Sequence, residues 1–168
     1  MGFNIDYVCQ NYLDYNSDQK FDLITMIYCD FCALNPTQRK SLLQIFHQHL
    51  KPGGRLLLDV FTLEAYLLRE EIINYEHDLL DGFWSGNPHY SFMNTIKYDK
   101  EKVVLDKYTI IEETKTWEVY NWLQYFSQKT LKAEFVENDF KVDKIYGSVT
   151  GDSLKPDSET MAVVIAKV

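Results

Sequence analysis

The sequence is short of glycine, histidine and cysteine, and each shortage removes a class of function. Its seven glycines stand at positions 2, 53, 54, 82, 86, 147 and 151, and none makes a Gly-x-Gly turn opening a helix. The chain therefore holds no glycine-rich loop to cradle a ligand's ribose or carboxylate with backbone amides. Cysteines occur at 9, 29 and 32 only, an odd number that suits a reducing compartment better than a disulfide framework. Cys29 and Cys32 have CxxC spacing, but a zinc site needs a second pair of ligands, and no histidine stands at ligand spacing from them. We read them as two partly buried thiols at the end of a strand, with no metal.

Basic runs are missing too. Lysine and arginine number 17 against 25 acidic residues, a formal charge of −8, so phosphate backbones and anionic lipid surfaces are repelled on average. Nucleic acid is excluded as a partner on this reading. No stretch reaches the ~18 apolar residues of a membrane-spanning helix, and Met1-Gly2-Phe3-Asn4 lacks the layout of a secretory signal. The expectation is a cytoplasmic protein with no membrane contact.

What is present is apolar and aromatic: 46% of the 168 residues are hydrophobic, with 12 Tyr and 10 Phe, enough to bury a core. No repeat or linker divides residues 1–168. Asn4–Cys9 alternates as a short strand, and Asn16–Lys20 is a turn-rich break. Phe21–Tyr28 is the near-continuous apolar run of a strand covered on both faces. Asn35-Pro36 opens an amphipathic helix that Lys51-Pro52-Gly53-Gly54 stops, and Arg55–Phe61 is a second buried strand. A helix over about Leu63–Ile73 follows. The period then falls to two across Tyr90–Tyr98, Val103–Glu112 and Trp117–Phe126, a three-stranded antiparallel meander. Ser127 caps a helix over Lys129–Asn138, and strands at Lys141–Val149 and Met161–Lys167 close the sheet. The class is α/β.

The run Phe21-Asp22-Leu23-Ile24, a helix, and then Leu50-Lys51-Pro52-Gly53-Gly54-Arg55-Leu56-Leu57-Leu58-Asp59 resembles the fourth strand, fourth helix and fifth strand of class I S-adenosylmethionine-dependent methyltransferases. The remaining elements follow that family's C-terminal layout. The resemblance implies a partial Rossmann-like sheet lacking its first two strands, with the meander, about residues 84–126, as a substrate-covering insertion. It also implies that the family's glycine-rich loop and ribose-binding acid precede Phe3, so that the chain reads as the C-terminal two-thirds of an N-terminally truncated domain.

The same resemblance distributes roles. Asn11 and Tyr12 fall where the family contacts adenine, against the simpler reading that Asn11 caps a turn and Tyr12 packs in the core. Met26, Ile27 and Tyr28 end the strand at whose carboxyl edge ligands sit in open α/β sheets. Asp30 is a candidate general base or merely a turn cap, and Phe31 faces the acceptor. Trp84, His89, Tyr90 and Trp122 are candidates for an acceptor pocket or for packing of the meander. Trp117 and Trp122 lie on opposite faces of their strand, so at least one is not in a pocket.

The expected function is part of an S-adenosylmethionine-dependent methyltransferase acting on a small molecule, with little activity or cofactor affinity of its own. The alternative is a non-catalytic binding or self-associating module; a CxxC redox protein is the least favoured. In the family's strand order Phe21–Tyr28 would be left as an edge. The expectation is that Asn4–Cys9 moves beside it or that two copies join there as a homodimer.

Overall fold

A computed structural model describes residues 5–168. In chain order the elements are β1 Phe21–Met26, α1 Pro36–His49, β2 Leu50–Phe61, α2 Leu63–Leu68, β3 Ile73–His77, β4 Tyr90–Tyr98, β5 Val103–Ile111, β6 Thr116–Gln124, α3 Gln128–Val136, β7 Phe140–Tyr146 and β8 Thr160–Lys167. They make two four-stranded sheets, ordered β1-β2-β8-β7 and β3-β4-β5-β6.

The first sheet is the Rossmann-like part. β1 and β2 run parallel with Ile24 opposite Leu56 and Met26 opposite Leu58, and β8 lies antiparallel to both its neighbours. One face of this sheet is dry. Leu56, Leu58 and Val60 of β2 align with Ile165, Val163 and Met161 of β8, and Leu42 and Leu43 of α1 pack there with Leu131 and Phe135 of α3. The opposite face of β1 is open: Leu23 is 55% exposed and Thr25 is also exposed. The expectation of cover on both faces therefore fails for β1, because α1 and α3 join one core cluster on the same face.

Helix ends follow local chemistry. Asn35 and Gln38 form a reciprocal capping box at α1, and Ser127 and Thr130 form one at α3. α1 stops at His49, and Leu50 already pairs with Phe21, so the Lys51-Pro52-Gly53-Gly54 turn is an irregularity inside β2. Gly54 is required there, since a Cβ would sit 3.0 Å from the Phe21 and Lys51 carbonyl oxygens; Gly53, at φ +77°, supplies the left-handed step.

Three other expectations are corrected. Ile5–Cys9 forms no strand; these residues are exposed, and among the described residues no ladder runs beside them to satisfy their amides, while Asn4 lies outside the described residues. It does not pair with β1. The helix expected to reach Ile73 ends at Leu68, and Ile73–His77 pairs with β4 instead, so the insertion has four strands and starts well before residue 84. β7 ends at Tyr146 rather than Val149.

The other three strands of the second sheet keep their expected places, with Tyr90 opposite Ile111 and Tyr98 opposite Val103. Its inner face carries Val104, Asp106, Tyr108 and Ile110, all buried. Trp117 lies on this face, opposite Ile110, and Trp122 on the other.

If packing rather than capping holds α3, Phe135→Ala costs about 3–5 kcal/mol in urea unfolding, whereas Ser127→Ala costs about 1 kcal/mol. Equal losses from the two would contradict a core built on this helix.

Candidate functional site

The carboxyl end of β1 is under backbone strain. Tyr28 has φ 80° and Cys29 φ 58°, two consecutive non-glycine residues in the left-handed region. Each such residue costs roughly 1–2 kcal/mol and persists only when its surroundings fix it. Here the Cys29 amide donates to an Asp59 carboxylate oxygen at 2.9 Å, tying the loop to the end of β2. The Cys32 amide donates to the Cys29 carbonyl at 2.9 Å, and the Phe61 amide to the Cys32 sulfur at 3.3 Å. Both thiols are buried. A hydrogen bond with Cys32, then burial and the nearby Asp59 charge, push the Cys29 thiol well above its usual range, so it stays protonated. Among the described residues no cluster of metal-ligating side chains occurs.

Below this loop sits a buried cation. Arg39, in the first turn of α1, is 4% exposed. Its Nε donates to Glu134 at 2.6 Å, its Nη1 donates to the Leu34 carbonyl at 2.7 Å, and its guanidinium lies over the rings of Phe126 and Phe31 at 5.2 and 5.8 Å. One side chain thus joins the loop after β1, α1 and α3.

Above it opens a cleft of about 420 Å³ between this region and the second sheet. Leu34, Asn35 and Gln38 line one wall, and Tyr98, Glu101 and Trp122 the other. The Tyr98 and Trp122 rings lie 5.5 Å apart. Gln124 holds the hairpin that carries Glu101, its amide donating to the Glu101 and Lys102 carbonyls at 2.8 and 3.1 Å.

The expected site residues divide into three groups. Asn11 is a turn cap, its Oδ1 accepting from the Leu13 amide and its Nδ2 donating to Asp14. Tyr12 is 43% exposed and lines a small apolar pocket with Phe21 and Ile24 of β1 and Phe46 and His49 of α1; burial, then the Asp30 charge, raises its phenol pKa. Ile27 and Tyr28 are exposed on the same edge, whereas Met26 turns into the core. Phe31 does not reach a ligand: it is fully buried between Phe126 and Phe135, where its ring is core.

Of the four aromatic candidates only Trp122 lines the cleft. Tyr90 pairs with Ile111, six residues along β5 from the Leu105 that faces Trp122, or roughly 20 Å at strand rise. Trp84 packs on Tyr108, and His89 is buried beside Asp78. These three serve the far end of the insertion. Arg39, Asp59, Tyr98, Glu101 and Gln124 were not singled out by sequence reasoning. The one available signal was Asp59, an acid ending an apolar strand at a ligand-side edge.

A family model described as a methyltransferase domain matches residues 1–54. No curated protein matches the sequence. Solved structures match nearly all of it. The CcbJ methyltransferase of Streptomyces caelestis superposes with a TM-score of 0.68 at 11% identity, over 96% of this chain and 63% of that one. This is the class I methyltransferase fold. The glycopeptide N-methyltransferase MtfA, complexed with S-adenosylmethionine, matches with a TM-score of 0.56 at 16% identity, covering 96% and 64% of the two chains. The sugar N-methyltransferase KedS8 from Streptoalloteichus matches at 0.59 and 12%, covering 92% and 60%. The chain thus spans less than two thirds of the length of these structures.

In a methyltransferase fold the carboxyl edge of β1 is the cofactor side. The exposed Ile27 and Tyr28 offer this edge aromatic and apolar surface suited to an adenine ring or a thioether, while Tyr12 lies along the flank of β1 with Phe21 and Ile24. No Gly-x-Gly loop in this chain adds backbone donors for a carboxylate, so the fit is one-sided.

Two stability measurements check the site. Tyr28→Gly raises stability by about 0.5–1 kcal/mol, since glycine relieves the left-handed strain and Tyr28, 90% exposed, loses little packing. Arg39→Ala costs about 3–5 kcal/mol by stranding the Leu34 carbonyl and Glu134, and Arg39→Lys recovers only part.

Proposed function

We propose that this chain forms the acceptor-binding part of an S-adenosylmethionine-dependent methyltransferase acting on a small organic molecule. The observation that carries the reading is the strained Tyr28–Cys29 loop at the carboxyl edge of β1, beside a cleft covered by the second sheet, within a methyltransferase fold. When bound, S-adenosylmethionine supplies a methyl group on a sulfonium centre, open to in-line displacement.

The chain's own residues position and desolvate. Ile27 and Tyr28 would pack against the cofactor from the edge of β1, Tyr12 from the flank it shares with Ile24, and Trp122 would cover the acceptor. Asp30, exposed at the start of the turn after β1, would take the proton that the acceptor gives up on methylation. MtfA and KedS8 carry names for glycopeptide and sugar acceptors, which supports a small molecule here. The charge of −8 argues against nucleic acid. No described helix is long and apolar enough to cross a membrane. Three free thiols support a reducing compartment, the cytoplasm.

A second property is supported by one observation. Among the described residues β1 pairs only with β2, and Leu23 and Ile27 beside its open edge are 55% and 50% exposed. We propose that two copies join across this edge as a two-fold dimer.

Calorimetric titration tests the first proposal. S-adenosylmethionine binds the chain more weakly than micromolar, because the absent loop withholds several hydrogen bonds worth ~0.5–1.5 kcal/mol each. At millimolar cofactor, amide resonances of Ile27–Asp30 shift. A micromolar or tighter Kd contradicts the one-sided site, and unshifted amides contradict the placement of the cofactor at this edge. Light scattering tests the second: a dimer is expected, and a monodisperse species of 19.8 kDa refutes it.

A further inference from the structure

The chemistry of the cleft selects among small molecules. Its outer wall presents two aromatic rings, Tyr98 and Trp122, with centroids 5.5 Å apart and 37% and 44% exposed. Neither ring is needed to fill the core. A ring face carries negative potential, and a tilted pair of such faces favours a cation above a neutral or anionic group.

The charges around the cleft have the same sign preference. Glu101 lines it and is exposed, and among the described residues no ion pair engages it. The lining cation, Arg39, is turned away: it is buried, with Glu134 at 2.6 Å and the Leu34 carbonyl at 2.7 Å taking its donors. Asn35 and Gln38 on the facing wall accept with their side-chain oxygens in the capping box, so that wall offers neutral amide N–H donors and no free cationic side chain. Two lysines of the hairpin, Lys97 and Lys102, lie over the Tyr66 ring, and Lys100, in the turn beside Glu101, is exposed. An unpaired carboxylate beside two aromatic faces, in a chain of charge −8, is a site built for a positive charge.

We propose that this cleft binds an organic cation, a ring-bearing protonated amine, with Glu101 pairing to the ammonium and Tyr98 and Trp122 packing on its apolar body. The inference rests on the methyltransferase reading insofar as it names the acceptor class. The binding itself needs neither cofactor nor turnover. Glu101, Tyr98 and Trp122 are specificity residues on this view, and the transferred methyl group is handled elsewhere, at the edge of β1.

The test compares three probes of one shape on the 168-residue chain, without cofactor. Phenethylammonium, 2-phenylethanol and phenylacetate are titrated separately, with the tryptophan indole N–H resonances as readout. Phenethylammonium is expected to bind about tenfold more tightly than the alcohol, with phenylacetate weakest, in keeping with one ion pair plus aromatic contact at a partly exposed site. Glu101→Gln should bring ammonium and alcohol within about twofold of each other, and Glu101→Lys should invert the order in favour of phenylacetate. Trp122→Ala should weaken both the ammonium and the alcohol, the ammonium more, because it loses the cation–π attraction as well as the packing. Both substituted positions are exposed, and an unchanged unfolding midpoint verifies that each variant folds. Equal binding of the three probes, or an ammonium preference that survives Glu101→Gln, overturns the proposal. Such a result leaves the cofactor edge untouched, because its amide shifts at Ile27–Asp30 are read in a separate titration.

Discussion

The buried guanidinium of Arg39 is the constraint on which the architecture of the site depends. A cation that is 4% exposed must have its donors satisfied, and it meets that requirement with groups from different parts of the chain: Glu134 from α3 and the Leu34 carbonyl from the loop after β1. Its flat faces rest near Phe31 and Phe126. Once these contacts form, the start of α1, the loop and α3 have one arrangement available. The floor of the cleft and the end of β1 are fixed by the same side chain.

That rigidity explains how the chain can hold two left-handed residues in succession at Tyr28 and Cys29. The strain is offset by hydrogen bonds that converge from β2, where Asp59 receives the Cys29 amide and the Phe61 amide reaches Cys32. The result is a loop whose exposed side chains, Ile27 and Tyr28, are presented at the ligand edge while its two thiols are buried and that of Cys29 is held protonated. The CxxC pattern therefore acts as packing for a strained turn.

The second sheet divides labour between its faces. The inner face holds the buried Asp106, engaged by Arg69 and by Thr95 at 2.6 Å, with Val104, Tyr108 and Ile110 around it. The outer face leaves aromatics in solvent, and Tyr98 and Trp122 of this face complete the cleft. Gln124 stabilises that arrangement through the backbone of the hairpin it grips. An insertion of this kind covers a site using one edge and keeps the rest of its surface independent of the chemistry.

The sequence by itself determined what local chemistry governs. Apolar runs at Phe21–Tyr28 and Arg55–Phe61 gave the parallel pair, although β1 ends at Met26, Asn35-Pro36 and Ser127 placed the helix starts, and a period of two revealed β4, β5 and β6. Those signals act over a few residues and are readable in one dimension. Tertiary structure decided the rest. Ile5–Cys9 alternates like a strand and is none, since a strand exists only with a partner, and Ile73–His77 became one because β4 offered its edge. Phe31 went to the core and Trp84, His89 and Tyr90 to the far end of the insertion because register along β5 sets distance, which spacing in sequence does not reveal. The cleft of Tyr98, Glu101 and Trp122 belongs to this second kind. Its walls come from residues tens of positions apart, brought together by the packing of the second sheet against the Arg39 region.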